Sequence, residues 1–401
     1  MAYHELLEKS DERFLKPLVW QMPGTTLQGK TRMHNGAALA LGEEVRKLTD
    51  EKVLLVMGRH VREQETGRVI CQALSEAGVE FDIFSELYPE PHFDVAVHIS
   101  VHMNENHYGA VIGAGGGSSL DMAKLAAHGA DGRLIEKIMT NDFSNARLPL
   151  ILLPTTSGTG SEVSPYTVLT VEGTKKFYTS AAFLPDVAIV DPLLTVTMPP
   201  RTTAATAFDA MTHALEGSMA SQNPYTECLA TESTALILTY LKRVLADGED
   251  IEARYYLSLA SVMGMLSYVM GGGLYAHSIS YILTLEKDTP HGLGCGLALP
   301  YTLAMNESQI HSLLDNLSAR CFGHSGSEEL RRRVIAKIQQ LFVETGLPES
   351  LSDLGYTVSD IPNLADTLLN RYYRQKNPRS ISRDEATRLL QAMILGEIEY
   401  F

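Results

Sequence analysis

The sequence predicts an α/β domain built on a mostly parallel sheet, followed by an all-helical domain. Three observations predict it. Short runs rich in leucine and β-branched residues alternate with helix-patterned segments through the first half. Strand-like runs then fade after Met198-Pro199-Pro200, where Ala, Leu, Met, Glu and Arg dominate. Finally, 401 residues with 45% hydrophobic content suffice for two buried cores. The boundary is set at residue 199, giving domains 1–199 and 200–401.

Taken in order, KVLLVMG at 52–58 is a buried strand ending on Gly58. Residues 61–77 show helical apolar spacing, stopped by Gly78. FDIFSEL at 81–87 is a second strand and YGAVIG at 108–113 a third. LPLILLPTT at 148–156 is a fourth and PDVAIVDP at 185–192 a fifth. Beyond the boundary, ATAFDAMTHALEGSMA, TECLATESTALILTYLKRVLA and EARYYLSLASVMGMLSYVM read as helices.

Bulk properties exclude several classes. The formal net charge is −15 and no Lys/Arg-rich run occurs, which argues against nucleic acid or an anionic membrane surface as partner. No uncharged apolar stretch approaches the roughly 18 residues of a membrane span. The charged N-terminal stretch lacks the apolar core of a secretory signal. The four cysteines, Cys71, Cys228, Cys295 and Cys321, form no C-x-x-C pair and read as reduced core or surface thiols of a cytoplasmic protein.

Two polar turns follow predicted strands. The third strand runs into Gly113-Ala114-Gly115-Gly116-Gly117-Ser118-Ser119 and then a helix. Glycines there let backbone amides approach a pyrophosphate, and the helix N-terminus adds partial positive charge. This is not the G-x-G-x-x-G fingerprint, and a purely structural turn is the alternative. The second turn, 154–162, carries Thr155, Thr156 and Thr159 after the fourth strand, where open α/β sheets bind ligands. A plain capping loop is the alternative there. Together the two turns favour a dinucleotide site.

In the helical half, Asp209 and His213 stand four residues apart, so both share one helix face. His277 and His291 lie farther on. Three imidazoles and a carboxylate suit Fe²⁺ or Zn²⁺. On spacing alone an ordinary polar helix face is the commoner meaning of D-x-x-x-H, and a satisfied core histidine the commoner meaning of His277.

Four segments in register resemble the iron-containing (group III) alcohol dehydrogenase family. They are GGGSSLDMAK at 115–124, PTTSGTGSEVS at 154–164, MPPRTTAATAFDAMTHALEG at 198–217 and AHSISYILTLEKDTPHG at 276–292. The resemblance implies a Rossmann-like dinucleotide-binding domain and a helical metal-binding domain, the dehydroquinate synthase-like arrangement. It also implies a homodimer with its active site in the cleft between domains. Carried over by position, the metal ligands would be Asp209, His213, His277 and His291. Gly115, Gly116, Gly117 and Ser118 would hold the pyrophosphate. Asp121 would lie towards the nicotinamide, Thr155, Thr156, Thr159 and Lys176 would line the cofactor groove, and Leu193 would pack beside it.

Two positions depart from the family pattern. Many members carry a further histidine four residues after the third ligand, close to the nicotinamide, where this chain has Tyr281. A phenol with an ordinary pKa of roughly 10 suits proton donation better than base catalysis at neutral pH. A packing role for Tyr281 is the alternative. Second, many NAD-preferring members end the first strand on an acidic residue. Here Gly58 and Arg59 stand there, which removes repulsion of a 2′-phosphate and favours NADP over NAD.

The activity implied is hydride transfer between a small alcohol or aldehyde and a nicotinamide cofactor. The ion, Fe²⁺ or Zn²⁺, would polarise the substrate oxygen. No protein nucleophile is needed, and no G-x-S-x-G elbow is present. Two rivals remain. One is a polyol- or glycerol-type dehydrogenase, or a lyase, of the wider dehydroquinate-synthase-like superfamily. The other is a non-catalytic metal- or nucleotide-binding protein.

Overall fold

Parallel strand pairing dominates the first of two units into which the chain divides. The computed structural model describes residues 2–21, 29–88, 90–144 and 146–401. The first unit comprises Met1–Thr156, Gly160–Met198 and Gly248–Ser258; the second comprises Ser157–Thr159, Pro199–Asp247 and Leu259–Phe401.

The strands of the first unit are β1 (Leu18–Gln21), β2 (Lys30–Met33), β3 (Val53–Met57), β4 (Phe81–Phe84), β5 (Ala110–Gly115), β6 (Leu150–Pro154), β7 (Tyr166–Val171), β8 (Thr174–Thr179) and β9 (Val187–Val190). Among the described residues, seven form one sheet in the order β1-β2-β9-β6-β5-β3-β4. Only the β1–β2 pair is antiparallel. Alternation along each strand explains why both faces are covered. Leu54, Val56, Val111 and Leu152 enter one core, with residues of α2 (Phe93–Glu105) and α3 (Gly117–Ala127). Val53, Leu55, Met57, Ile112 and Leu153 enter the other, with residues of α1 (Glu65–Glu76). Side chains of this size contribute about 1.5–3 kcal/mol each when fully buried. That favours runs apolar at every position over alternating ones.

All five predicted strands are present, with ends shifted by up to three residues. The predicted helix over 61–77 is two helices, Arg59–Arg62 and α1. The break is tight: a Cβ on Gly67 would lie 2.5 Å from the Val61 carbonyl oxygen. Neither β1, β2 nor the β7–β8 hairpin was expected. The hairpin closes through Glu172 and Gly173, whose φ values of 50° and 67° are those of a type I′ turn.

The second unit contains no strand among its described residues. Its helices include α4 (Pro200–Ser221), α5 (Pro224–Ala246), the later part of α6 (Ile251–Gly271), α7 (Tyr275–Lys287) and α8 (His291–Asn306). Proline fixes the start of α4 at its first helical position. Gln222, at φ 45°, ends it, and Asn223 caps α5 by accepting from the amides of Tyr225 and Thr226. The single boundary read at residue 199 is too simple. Gly248–Ser258 belongs to the first unit, where the Tyr255 ring packs 4.6 Å from that of Phe14.

Candidate functional site

The first candidate site is the pair of polar turns at the C-terminal ends of β5 and β6. Gly115 has φ +148°, and a Cβ there would lie 2.5 Å from Ser119 Oγ, so no larger residue fits. Gly116 caps α3, and the Thr155 amide donates to the Gly115 carbonyl at 2.9 Å, tying the two turns together. Asp121 is engaged with its own chain. Its Oδ1 accepts from Ser161 Oγ at 2.6 Å and its Oδ2 from the Val168 amide at 3.0 Å. Lys124 Nζ lies 3.8 Å away. Burial pushes the Asp121 carboxyl upward, opposed by Lys124 and these hydrogen bonds. The residue therefore locks one turn onto the other.

Other expected cofactor residues are scattered. Gly58 is half-buried, with Ser119 Oγ the atom nearest a Cβ added there, and Arg59 is exposed. Lys176 is exposed on β8, whereas the adjacent Lys175 is buried and paired with Glu90. Leu193 is 1% exposed and sits in the core with Met57, Ala114 and Leu153. It offers no surface to a groove. Thr159 groups with the second unit, along with Ser157 and Gly158. A Cβ on Gly158 would meet that of Thr206 at 2.5 Å.

The second candidate site is assembled within the helical unit from α4, α7 and α8. Asp209, His213 and Glu216 recur at helical spacing along the same side of α4. His277 and Tyr281 lie on α7. That helix ends at Asp288, φ 51°, and Pro290 then places His291 first on α8. Glycine allows the close approach of α8 to α4: a Cβ on Gly292 would lie 2.3 Å from the Ala205 carbonyl oxygen.

These contacts bring three of the four expected ligands into one cluster. One donor atom each from Asp209, His277, His291 and Cys295 lies within 4.8 Å of all the others. His291 Nε2 is 3.6 Å from Asp209 Oδ1. His213 lies outside that tightest set but borders it. Its Nε2 is 3.9 Å from Asp209 Oδ1, and its ring is 4.8 Å from that of His277. Tyr268 packs against both His213 and His277, with ring centroids 4.7 and 5.1 Å away.

Hydrogen bonds set the imidazole tautomers. His277 Nδ1 lies 2.6 Å from Glu216 Oε2, and Glu216 also accepts the amides of Leu274 and Ala276. With the carboxylate as acceptor, Nδ1 carries the proton and Nε2 keeps its lone pair. Ser280 does the same for His291. Its hydroxyl donates to the His291 carbonyl at 2.7 Å and therefore accepts from Nδ1, 2.9 Å away. Two imidazoles thus turn acceptor nitrogens towards Asp209. Asp209 Oδ1 and His277 Nε2 are buried without a hydrogen-bond partner. Buried orphan acceptors are costly unless a cation joins them. The donor set of imidazoles and carboxylate fits Fe²⁺ or Zn²⁺.

Electrostatics agree with that fit. Burial drives the Asp209 carboxyl upward, but His213, His291 and His277 outweigh it and hold the group below its usual range. Burial and then His213 hold His277 well below the usual imidazole range, so it stays a neutral donor. Tyr281 is 4% exposed and stacks on His291 at 5.2 Å. Burial, then Tyr268, raise its phenol well above 10. Burial and Asp209 raise the Cys295 thiol likewise. Arg374 Nε donates to Ser278 Oγ at 2.7 Å, and its guanidinium sits 5.8 Å from the Tyr281 ring centroid.

Glu216, Ser280, Cys295 and Arg374 were not singled out from sequence. Glu216 carried a usable signal, seven residues beyond Asp209 on the same helix. Cys295 carried another, four residues after His291. Nothing local marked Ser280 or Arg374.

Comparison with known proteins follows the same division. Residues 28–192 match the model of the iron-containing alcohol dehydrogenases, and residues 203–394 match the C-terminal model of that family. The chain belongs to the iron-containing alcohol dehydrogenase family. A long-chain-alcohol dehydrogenase of Geobacillus thermodenitrificans (strain NG80-2) is 30% identical over 373 residues, covering 90% of this chain and 94% of the relative. The solved alcohol dehydrogenase of Oenococcus oeni superposes with a TM-score of 0.83 at 26% identity, covering 90% of this chain and 96% of that one. A sulfoacetaldehyde reductase of Bifidobacterium kashiwanohense, solved with NAD⁺, superposes with a TM-score of 0.79 at 28% identity, covering 91% and 96%. The iron-containing alcohol dehydrogenase described here is thus an oxidoreductase that interconverts alcohols and carbonyl compounds with a nicotinamide cofactor. Among its described residues, no single helix is long and apolar enough to cross a membrane.

Proposed function

We propose that this dehydrogenase interconverts a small alcohol and its aldehyde at a divalent-metal centre held by Asp209, His213, His277 and His291. The observation that supports it best is the pair of buried, unpartnered acceptors, Asp209 Oδ1 and His277 Nε2, beside His291. When bound there, a divalent ion supplies Lewis-acid polarisation of the substrate oxygen. The protein's own part is positional. Glu216 and Ser280 hold two imidazoles in the tautomer that presents Nε2. Tyr281 keeps its proton at neutral pH, so it acts as a hydrogen-bond donor and not as the base that removes the alcohol's proton.

The glycine turn at 115–117 with Ser118 is the proposed pyrophosphate site, with Thr155 and Thr156 alongside. Exposed Arg59, and Gly58 in place of a carboxylate, favour acceptance of a 2′-phosphate, so NADP(H) is proposed over NAD(H). We also propose a cytoplasmic homodimer, in keeping with four free cysteines and the family resemblance.

Arg374 favours a substrate that carries an acidic group. It forms no ion pair among the described residues, and its charge bears on Glu216 as well as on His277 and Tyr281. The test is an assay of NADPH and NADH oxidation over neutral, carboxylated and sulfonated short aldehydes, on protein of measured metal content. Turnover that survives complete metal removal would refute the metal-centred function. Equal kcat/KM for neutral and acidic aldehydes would refute the role given to Arg374.

A further inference from the structure

Cys295 stands in an unusual place for a buried cysteine. Such residues ordinarily behave as small hydrophobes among apolar neighbours. Cys295 is fully buried, yet its Sγ lies 3.6 Å from His291 Nε2 and within the cluster of donor atoms from Asp209, His277 and His291. The local sequence HGLGCG explains how it arrives there. Cys295 follows His291 by one helical turn, so both belong to the same side of α8. Glycines on either side permit the approach. A Cβ on Gly294 would lie 2.7 Å from Ser280 Oγ, and one on Gly296 would lie 2.7 Å from Phe208 Cβ. Helix α8 is therefore pressed against α7 and α4 at the residue that bears the thiol.

Two further observations point to a ligand at this spot. Asp209 Oδ1 and His277 Nε2 are both buried and both lack a partner within the protein. Each belongs to the same cluster as Cys295 Sγ. Cys71 and Cys321, by contrast, are half-buried and Cys228 is exposed.

We infer that Cys295 is itself a metal ligand of this chain, adding a thiolate sulfur to the nitrogen and oxygen donors of the centre. The inference rests on the metal-centred function proposed above. On binding, the S–H bond breaks, its proton passes to solvent, and the sulfur lone pair forms the bond to the ion; nothing is oxidised or reduced. A soft donor shifts selectivity towards ions that favour thiolate, Zn²⁺ above all, and away from hard ions.

Cobalt substitution tests this without reference to turnover. Wild-type protein, Cys295→Ser and Cys295→Ala are stripped by chelator and reloaded with one equivalent of Co²⁺. Ligand-field absorption in the visible reports that the ion is bound, whichever donors hold it. Sulfur-to-cobalt charge transfer in the near ultraviolet reports a thiolate ligand. The expected result is ligand-field absorption in all three proteins and charge transfer in the wild type alone. Ligand-field bands with no charge transfer in the wild type, or charge transfer unchanged in both variants, would overturn the role of Cys295 and leave the metal centre standing. Absence of ligand-field bands in all three would overturn the metal centre, and Cys295 as ligand with it.

Discussion

Asp121, partly buried on α3, and Asp209, fully buried on α4, each stand at a proposed binding site, and they are treated in opposite ways. Both Asp121 oxygens accept hydrogen bonds from the protein, one from Ser161 and one from the Val168 amide, and Lys124 is the cation near it among the described residues. Asp209 Oδ1 accepts none and faces imidazoles. Burial wins at Asp121 and raises its carboxyl, whereas three histidines outweigh burial at Asp209 and lower it. A carboxylate satisfied by its own chain positions backbone. A carboxylate oxygen left without a donor among buried imidazole nitrogens is a place for a cation. The same contrast separates two buried histidines. His277 is oriented by Glu216 towards other donor atoms, whereas His128 lies between Phe143 and Phe183 with no such company.

The contrast can be broken or sharpened by substitution. The largest effect is expected from Asp209→Ala or His277→Ala, with loss of bound metal and a fall in turnover on the order of 10³-fold, measured by metal analysis and stopped-time assay. Retention of both in either variant would erase the distinction. Next is Glu216→Gln, which keeps the shape but offers only one acceptor to the amides and His277. Metal affinity should fall about 10–100-fold by competitive chelator titration. Arg374→Ala should lower kcat/KM for acidic aldehydes by a similar factor of about 10–100, the worth of a charged hydrogen bond, with neutral aldehydes little changed and Arg374→Lys intermediate.

Smaller effects belong to the satisfied region. Ser161→Ala should cost about 1–3 kcal/mol in denaturant unfolding by removing one of Asp121's donors, with metal content unaltered. The smallest is a pH effect. Burial, then Lys137 and Arg147, push His128 down to about 4, whereas its ordinary value is 6.5. Between these values the unfolded chain binds more protons, so stability is full above pH 6.5 and is lost as the pH falls towards 4. The slope is at most about 1.4 kcal/mol per pH unit. His128→Phe should flatten that limb of a thermal-melt series.

Much of this was legible in the sequence, and for identifiable reasons. Strands such as VLLVM are apolar at every position because both sheet faces are covered, and that pattern survives without coordinates. Asp209 and His213 announce themselves by their spacing on one helix. Spacing did not rank the donors within the cluster. His213 sits at the margin of the tightest cluster, and Cys295, read as an ordinary reduced thiol, lies inside it. The place of Cys295 depends on how closely α8 presses on α4 and α7, which rests on glycines 292, 294 and 296, and packing distance has no one-dimensional signature. Leu193 was expected beside the cofactor groove by its position, and its place in the core is seen only from its burial. The strand β2 escaped notice because KTRM, half-buried and charged, lacks an apolar run.

The central claim is that Asp209, His277 and their neighbours are the coordination shell of a divalent ion and that the ion makes them a catalytic centre. Metal titration of chelator-treated protein, with bound ion and aldehyde reduction by NADH and by NADPH followed together, tests it directly. Activity rising from baseline in proportion to a single tightly bound ion per chain, and absent from Asp209→Ala at any ion concentration, is the predicted result. Full activity in protein free of metal would contradict it.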